Sequence, residues 1–203
     1  MENPPIIFLP ATLCDATLFQ HQLDNMNDIA HPRLIDVHLQ DNLAEVARYV
    51  LQAVESDFVL VGLSYGGIVA LEVWRQAPQR ILKLALLNTN PYAAAPETKR
   101  SQKQFIENAR NKKLREVATE FLQDLMLHPD SNKDTVLRNQ VLDMAESLGM
   151  NGFINEIKAQ LARPDALQDL LSITCPTLVL TGQDDSVVPL HVHQTMASLL
   201  TDS

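Results

Sequence analysis

The sequence predicts an α/β protein: a parallel sheet with helices on both faces. Three observations carry this. Apolar runs of four to six residues, too short for helices, recur at residues 6–9, 58–61, 82–87 and 177–181. The stretches between the earlier runs place apolar residues at helical spacing. One run, Phe58-Val59-Leu60-Val61, leads through the glycine-rich turn Gly62-Leu63-Ser64-Tyr65-Gly66-Gly67 straight into a helical pattern. Strands alternating with helices build parallel sheets with right-handed crossovers.

In chain order, residues 6–9 read as a first buried strand, with Pro10-Ala11-Thr12-Leu13-Cys14-Asp15 as the loop at its carboxyl end. A helix is expected over residues 17–25. Residues 34–39 alternate like an edge and predict a second strand, and residues 43–54 a helix with Leu43, Val46, Val50 and Val54 on its apolar face. The third strand carries the glycine-rich turn, and the helix after it, with Ile68, Leu71, Val73 and Trp74, ends before Pro78. Residues 82–87 make a fourth strand. A fifth, over residues 177–181, follows the Cys175-Pro176 breaker, and residues 189–201 read as the helix after it.

Between residues 91 and 171 the strand signal gives way to helical stripes: Leu114, Ala118, Phe121 and Leu125; Leu137, Val141, Met144 and Leu148; Phe153, Ile157 and Leu161. The expected organisation is one core, residues 1–90 and 172–203, with a helical cap inserted at 91–171. Seven basic residues (Lys99, Arg100, Lys103, Arg110, Lys112, Lys113, Arg115) open that insertion. They read as a solvated helix face or as a basic lid drawing in an anionic substrate.

Composition narrows the function classes. With 203 residues, 46% of them hydrophobic, the chain can bury one sizeable core. A formal charge of −9 argues against nucleic acid as the main partner, since that requires a net basic face. Cys14 and Cys175 make neither a disulfide framework nor a metal-ligand spacing, which fits a cytoplasmic protein without a metal. Met1-Glu2-Asn3-Pro4-Pro5 lacks a basic leader and no apolar span is long enough for a membrane, so no membrane partner is expected.

The turn has the pattern G-x-S-x-G, in which a serine sits between strand and helix in a strained conformation that lifts its hydroxyl above the sheet. A serine hydroxyl becomes a nucleophile when a base, usually histidine, takes its proton and a carboxylate orients that base. Gly182-Gln183-Asp184-Asp185-Ser186-Val187-Val188-Pro189 follows the fifth strand, placing an acidic side chain on the same sheet edge as Ser64. In open α/β sheets ligands bind at that edge. Oxyanion donors would be the backbone N–H of Tyr65, after the nucleophile, and that of Thr12, in the loop after the first strand.

These residues give the chain a resemblance, over almost its whole length, to bacterial α/β-hydrolase-fold proteins of the esterase, lactonase and cofactor-free haloperoxidase-like group. By that resemblance Ser64 matches the nucleophile, and Asp185, the aspartate of G-x-x-D-x-x-V-P, matches the triad acid in preference to Asp184. Thr12, rather than Leu13, falls on the first oxyanion donor, and Phe19 on a frequent tryptophan. Pro10-Ala11 departs from the usual His-Gly. Arg75-Gln76-Ala77-Pro78 and Leu86-Leu87-Asn88-Thr89 resemble a subgroup with a helical cap. The resemblance implies a serine hydrolase for a small-to-medium ester, thioester or lactone, with no cofactor. A non-catalytic binding protein on the same fold, or a cofactor-free perhydrolase or C–C bond hydrolase, are the alternatives.

The family's histidine follows the aspartate after one more strand, commonly in a Gly-His pair. This chain has no such pair and ends 18 residues after Asp185, at Ser203, so the last strand, the histidine loop and the final helix are expected to be missing. His21, His31 and His38 precede the turn, His128 lies in the insertion, and His191 and His193 follow Asp185; the resemblance gives His193 a non-catalytic place. The fifth strand would then be an exposed edge, which invites a homodimer.

Overall fold

The computed structural model describes residues 3–122, 131 and 133–201; Leu125 and His128 lie outside the described residues. Its centre is a five-stranded parallel sheet in the order β2-β1-β3-β4-β5, formed by β1 (Pro5–Leu9), β2 (His31–Leu34), β3 (Phe58–Leu63), β4 (Ile81–Leu87) and β5 (Thr177–Leu180). The chain steps outward from β1 to β2, then crosses back to β3, so strand order reverses between β1 and β3. The register there sets Leu9 beside Gly62, and on the other side Leu63 lies beside Leu87 and Leu87 beside Leu180. The carboxyl ends of four strands thus form one rim.

Alternation within the strands explains the layers. Ile7 and Leu9 of β1, Phe58 and Leu60 of β3, and Leu84 and Leu86 of β4 point to one face and are fully buried or nearly so. There they pack with α2 (Leu43–Ala53), α3 (Tyr65–Gln76), α7 (Leu167–Leu171) and α8 (Leu190–Leu199) in one continuous core. Each such side chain contributes about 1.5–3 kcal/mol. The opposite face carries α1 (Gln20–Asn25), preceded by a 3₁₀ turn that sets Phe19 against Phe8 with ring centroids 4.8 Å apart. Farther along, this face opens to solvent: Leu178 and Leu180 of the edge strand β5 are each 54% exposed.

Three expectations need correction. The second strand lies at His31–Leu34, not at residues 34–39, because its ladder with β1 ends at the Phe8–Leu34 pair, where β1 itself turns away into its loop. The apolar alternation that suggested 34–39 is burial that outlasts pairing: the Ile35 amide makes a further bond to the Phe8 carbonyl at 3.1 Å, and Ile35 and Val37 sink into the core. Residues 17–25 are a 3₁₀ turn followed by a short α-helix, and β5 stops at Leu180, one residue early.

Between β4 and β5 lie α4 (Pro96–Ala109), α5 (Leu114–Leu122), α6 (Thr135–Ala162) and α7. Phe105, Phe121 and Phe153 stack edge to face or tilted, with centroids 5.3 to 6.2 Å apart, and anchor a second core shared by α4, α5 and α6. The two stripes read at residues 137–148 and 153–161 are halves of α6, joined at a kink where Gly149 adopts φ 74° and ψ 163°, a conformation open to glycine. In the basic stretch, Lys112 pairs with Glu120 and Arg115 with Asp143 and Glu146, while Arg100, Lys103, Arg110 and Lys113 are exposed. No described helix is long and apolar enough to cross a membrane.

Candidate active site

Ser64 stands alone between β3 and α3, with φ 54° and ψ −110°, a region that costs a residue with a side chain roughly 1–3 kcal/mol. Its surroundings enforce that conformation. The Ser64 amide continues the sheet ladder to the Leu87 carbonyl at 2.9 Å, and the Ser64 carbonyl accepts from the Gly67 and Ile68 amides at 3.0 and 3.2 Å and from the Thr89 hydroxyl at 2.7 Å. The flanking glycines are a matter of space. A Cβ on Gly62 would lie 2.3 Å from the Gly66 carbonyl oxygen, and one on Gly66 would lie 2.1 Å from that of Leu9. A Cβ on Gly67 would meet the Thr89 side chain at 2.5 Å. The helix can start this close to β1 and β3 only because those positions carry no side chain.

Among the described residues, three non-glycine residues have positive φ: Leu13 at 61°, Ser64 at 54° and Asn88 at 44°. Each follows a different strand, β1, β3 and β4, on the one rim, and two of them flank the point where strand order reverses. Strain of this kind concentrates where function requires it.

The loop after β1 is gripped by α6. Gln160 donates to the Thr12 hydroxyl at 2.9 Å, Ser147 to the Asp15 carboxylate at 2.7 Å, and the Leu13 amide donates to the buried Glu156 carboxyl at 2.9 Å. The Leu13 amide is therefore committed inward, whereas no hydrogen bond engages the Thr12 amide among the described residues. The Tyr65 amide lies in the first turn of α3, where helix N–H groups lack intrahelical acceptors and favour negative charge. The phenol itself is fully buried and donates to the Val37 carbonyl at 3.3 Å.

Across the rim, one Asp185 carboxylate oxygen accepts the Val187 and Val188 amides at 2.8 and 3.0 Å, and the other accepts from the Asn88 side chain. Asn88 thus uses its strained backbone to reach from the end of β4 to the loop after β5. Asp184, its neighbour in the chain, is exposed.

His193 is buried, and its Nε2 accepts the Thr89 amide at 3.1 Å. Burial, opposed by the Pro189 carbonyl and the Asp185 charge, keeps its imidazole neutral further into the acid range than usual. With Nε2 already used, this ring cannot take a proton from Ser64. It buttresses the turn instead, since the same Thr89 holds the Ser64 carbonyl. His21, His31 and His191 are exposed, and His38 packs against Gly152 of α6. Among the described residues no histidine is bonded to the Ser64 hydroxyl, and no cluster of three or more His, Cys, Asp or Glu is arranged to hold a metal.

Strand, strained serine and helix, closed by an acid-bearing loop after β5, agree with what sequence comparison finds. The profile of the alpha/beta hydrolase fold family matches residues 31–203. The chain belongs to that family. It is 24% identical over 204 residues to the pimeloyl-[acyl-carrier protein] methyl ester esterase of Vibrio parahaemolyticus, spanning 94% of this chain and 80% of the relative. It is also 24% identical over 216 residues to the biotin biosynthesis bifunctional protein BioHC of Cellvibrio japonicus, covering 98% of this chain but 42% of that larger protein. In structure it resembles MenH from S. aureus (TM-score 0.89, 18% identity, 100% of this chain and 84% of that one). A thermophilic esterase from Thermogutta terrifontis gives TM-score 0.87 at 22% identity, over 100% of this chain and 79% of that one.

Sequence reasoning passed over Glu156 and Gln160, and named Asn88 and Thr89 without a role. Glu156 had a signal: it lies on the α6 face that carries Phe153 and Ile157, an acid at an apolar position.

Proposed function

We propose that the chain is a serine hydrolase for small-to-medium esters, thioesters or lactones. The observation that carries this reading is the convergence of three strained residues, Leu13, Ser64 and Asn88, on one rim, the first two flanking the reversal of strand order. Ser64 Oγ attacks the substrate carbonyl carbon, the Thr12 and Tyr65 amides receive the negative charge that develops on the carbonyl oxygen, and the alcohol leaves. Water then attacks the acyl-serine and releases the acid. Asp185, fixed by two amides and Asn88, orients the histidine that moves these protons, a role that none of the five described histidines fills.

The methyl ester substrate in the relatives' name supports ester chemistry. We place a helical cap over this rim, formed by the insertion expected at residues 91–171 except for α7, which packs into the main core, closing the rim to polymers. We place the protein in the cytoplasm, in keeping with Cys14 and Cys175 forming no disulfide. A second copy pairing along the β5 edge is the partner we infer for Leu178 and Leu180, and a monodisperse monomer at micromolar concentration in sedimentation would remove it. A ligand-binding protein on the same fold is the second reading, favoured by the commitment of His193 to Thr89. The two separate on a panel of p-nitrophenyl esters. Turnover that Ser64→Ala abolishes supports the hydrolase, and rates equal to Ser64→Ala throughout support the binding protein.

A further inference from the structure

The carboxyl group of Glu156 takes no part in the chemistry above, yet it lies against the loop on which that chemistry depends. It is 0% exposed. One oxygen accepts the Leu13 amide at 2.9 Å, and the other is buried without a hydrogen-bond partner among the described residues. The titratable groups that face it carry no positive charge. From the β1 loop comes the Cys14 thiol, pushed up to about 12 by burial and by the Glu156 and Asp15 charges. From α3 comes the Tyr65 phenol, raised by burial and by the Glu156 charge. Asp15 is engaged with Ser147 and Thr17, His38 packs on Gly152 one turn earlier in α6, and Lys158 is bound to Asp41 at the surface.

A buried carboxylate with no cation beside it is unfavourable, so the group keeps its proton. Burial pushes it up to about 8, against the lowering influence of the Leu13 amide. At neutral pH a neutral carboxyl therefore holds Leu13 in a conformation that leucine alone would avoid. This turns the Leu13 amide away from the rim and leaves the Thr12 amide for it. Ionisation would put a negative charge against the loop that must accept a second one in the transition state.

We propose that Glu156 is the positioning residue of the oxyanion loop: its neutral carboxyl fixes Leu13 and with it the Thr12 amide, and its ionisation disables the site in alkaline solution. This rests on Thr12 and Tyr65 being the oxyanion donors.

The test compares wild type, Glu156→Gln, Glu156→Ala and Ser64→Ala in p-nitrophenyl butyrate hydrolysis from pH 6 to 10, with backbone amide NMR over the same range. Wild type should lose rate by about tenfold per pH unit beyond its alkaline limb. Glu156→Gln, which keeps an acceptor and cannot ionise, should hold its rate there. Glu156→Ala should be slower at every pH. The Leu13 and Thr12 amide resonances should titrate near pH 8 in wild type and stay flat in Glu156→Gln.

Stability gives a readout independent of turnover. A carboxyl raised from 4.5 to about 8 in the folded state supports folding fully below 4.5, and that support is lost as pH rises through 8. The melting temperature of wild type should therefore fall relative to Glu156→Gln between pH 5 and 9. An alkaline limb in Glu156→Gln identical to wild type, or Leu13 and Thr12 amides that do not titrate, would overturn the role of Glu156 and leave the hydrolase standing. Wild-type rates no higher than Ser64→Ala at every pH would overturn both.

Discussion

Replacing Gly66 by alanine sets a methyl carbon 2.1 Å from the Leu9 carbonyl oxygen and 2.8 Å from that of Pro10. Favourable nonbonded contacts lie at about 3.5 Å, so α3 and the end of β1 must separate by roughly 1 Å or more. Both obstacles are backbone atoms, Leu9 held in the ladder between β1 and β3 and Pro10 directly after it, and neither can swing aside as a side chain would. Overpacking of this kind costs about 1–3 kcal/mol, and here the upper end applies. For a domain of this size that corresponds to a fall in Tm of roughly 6–12 °C. The same displacement parts the Tyr65 amide from the β1 loop, and a 1 Å misplacement in a reacting site can cost about 10²-fold in rate. Calorimetry and the labelling rate of Ser64 by a fluorophosphonate read the two effects separately. A Gly66→Ala protein with wild-type Tm and wild-type labelling would refute the claim that helix and strand must approach this closely.

Ser64→Gly should melt higher than wild type by up to about 1 kcal/mol while losing all labelling, because glycine relieves the positive φ that serine is forced to adopt; a lower Tm would mean the turn is not strained. His193→Ala leaves the buried Thr89 amide without its acceptor and should cost about 1–3 kcal/mol in urea unfolding. The same variant should change the pH dependence of stability. Because the folded imidazole titrates below its ordinary 6.5, its support is present above pH 6.5 and is lost as pH falls through the depressed value. Wild type should weaken on acidification from pH 7 to 5 with a slope that His193→Ala lacks; equal slopes would contradict burial of a neutral ring.

The elements legible in the sequence were those whose pattern had a single physical cause. The buried strands β1, β3 and β4 and the glycine-rich turn are set by local burial and by close backbone approach, both visible as runs of residue types. β2 lies earlier than the alternation suggests because burial outlasts pairing there: the Ile35 amide still reaches the Phe8 carbonyl, and Val37 enters the core beyond it. The site divides the same way. Ser64 and Asp185 carry local signatures. The contacts that hold their segments span 97 residues from Asn88 to Asp185, 104 from Thr89 to His193 and 143 from Leu13 to Glu156. Spacing in a single sequence does not encode such pairings; only the crossing of α6 over the β1 loop and of α8 behind β4 makes them neighbours.

Intact-mass spectrometry before and after a fluorophosphonate probe, with Ser64→Ala as control, tests the central claim most directly. One added probe in wild type and none in Ser64→Ala is the result expected of an activated serine at this rim. An unmodified wild-type mass after prolonged exposure would contradict the nucleophile and leave the fold as a binding scaffold.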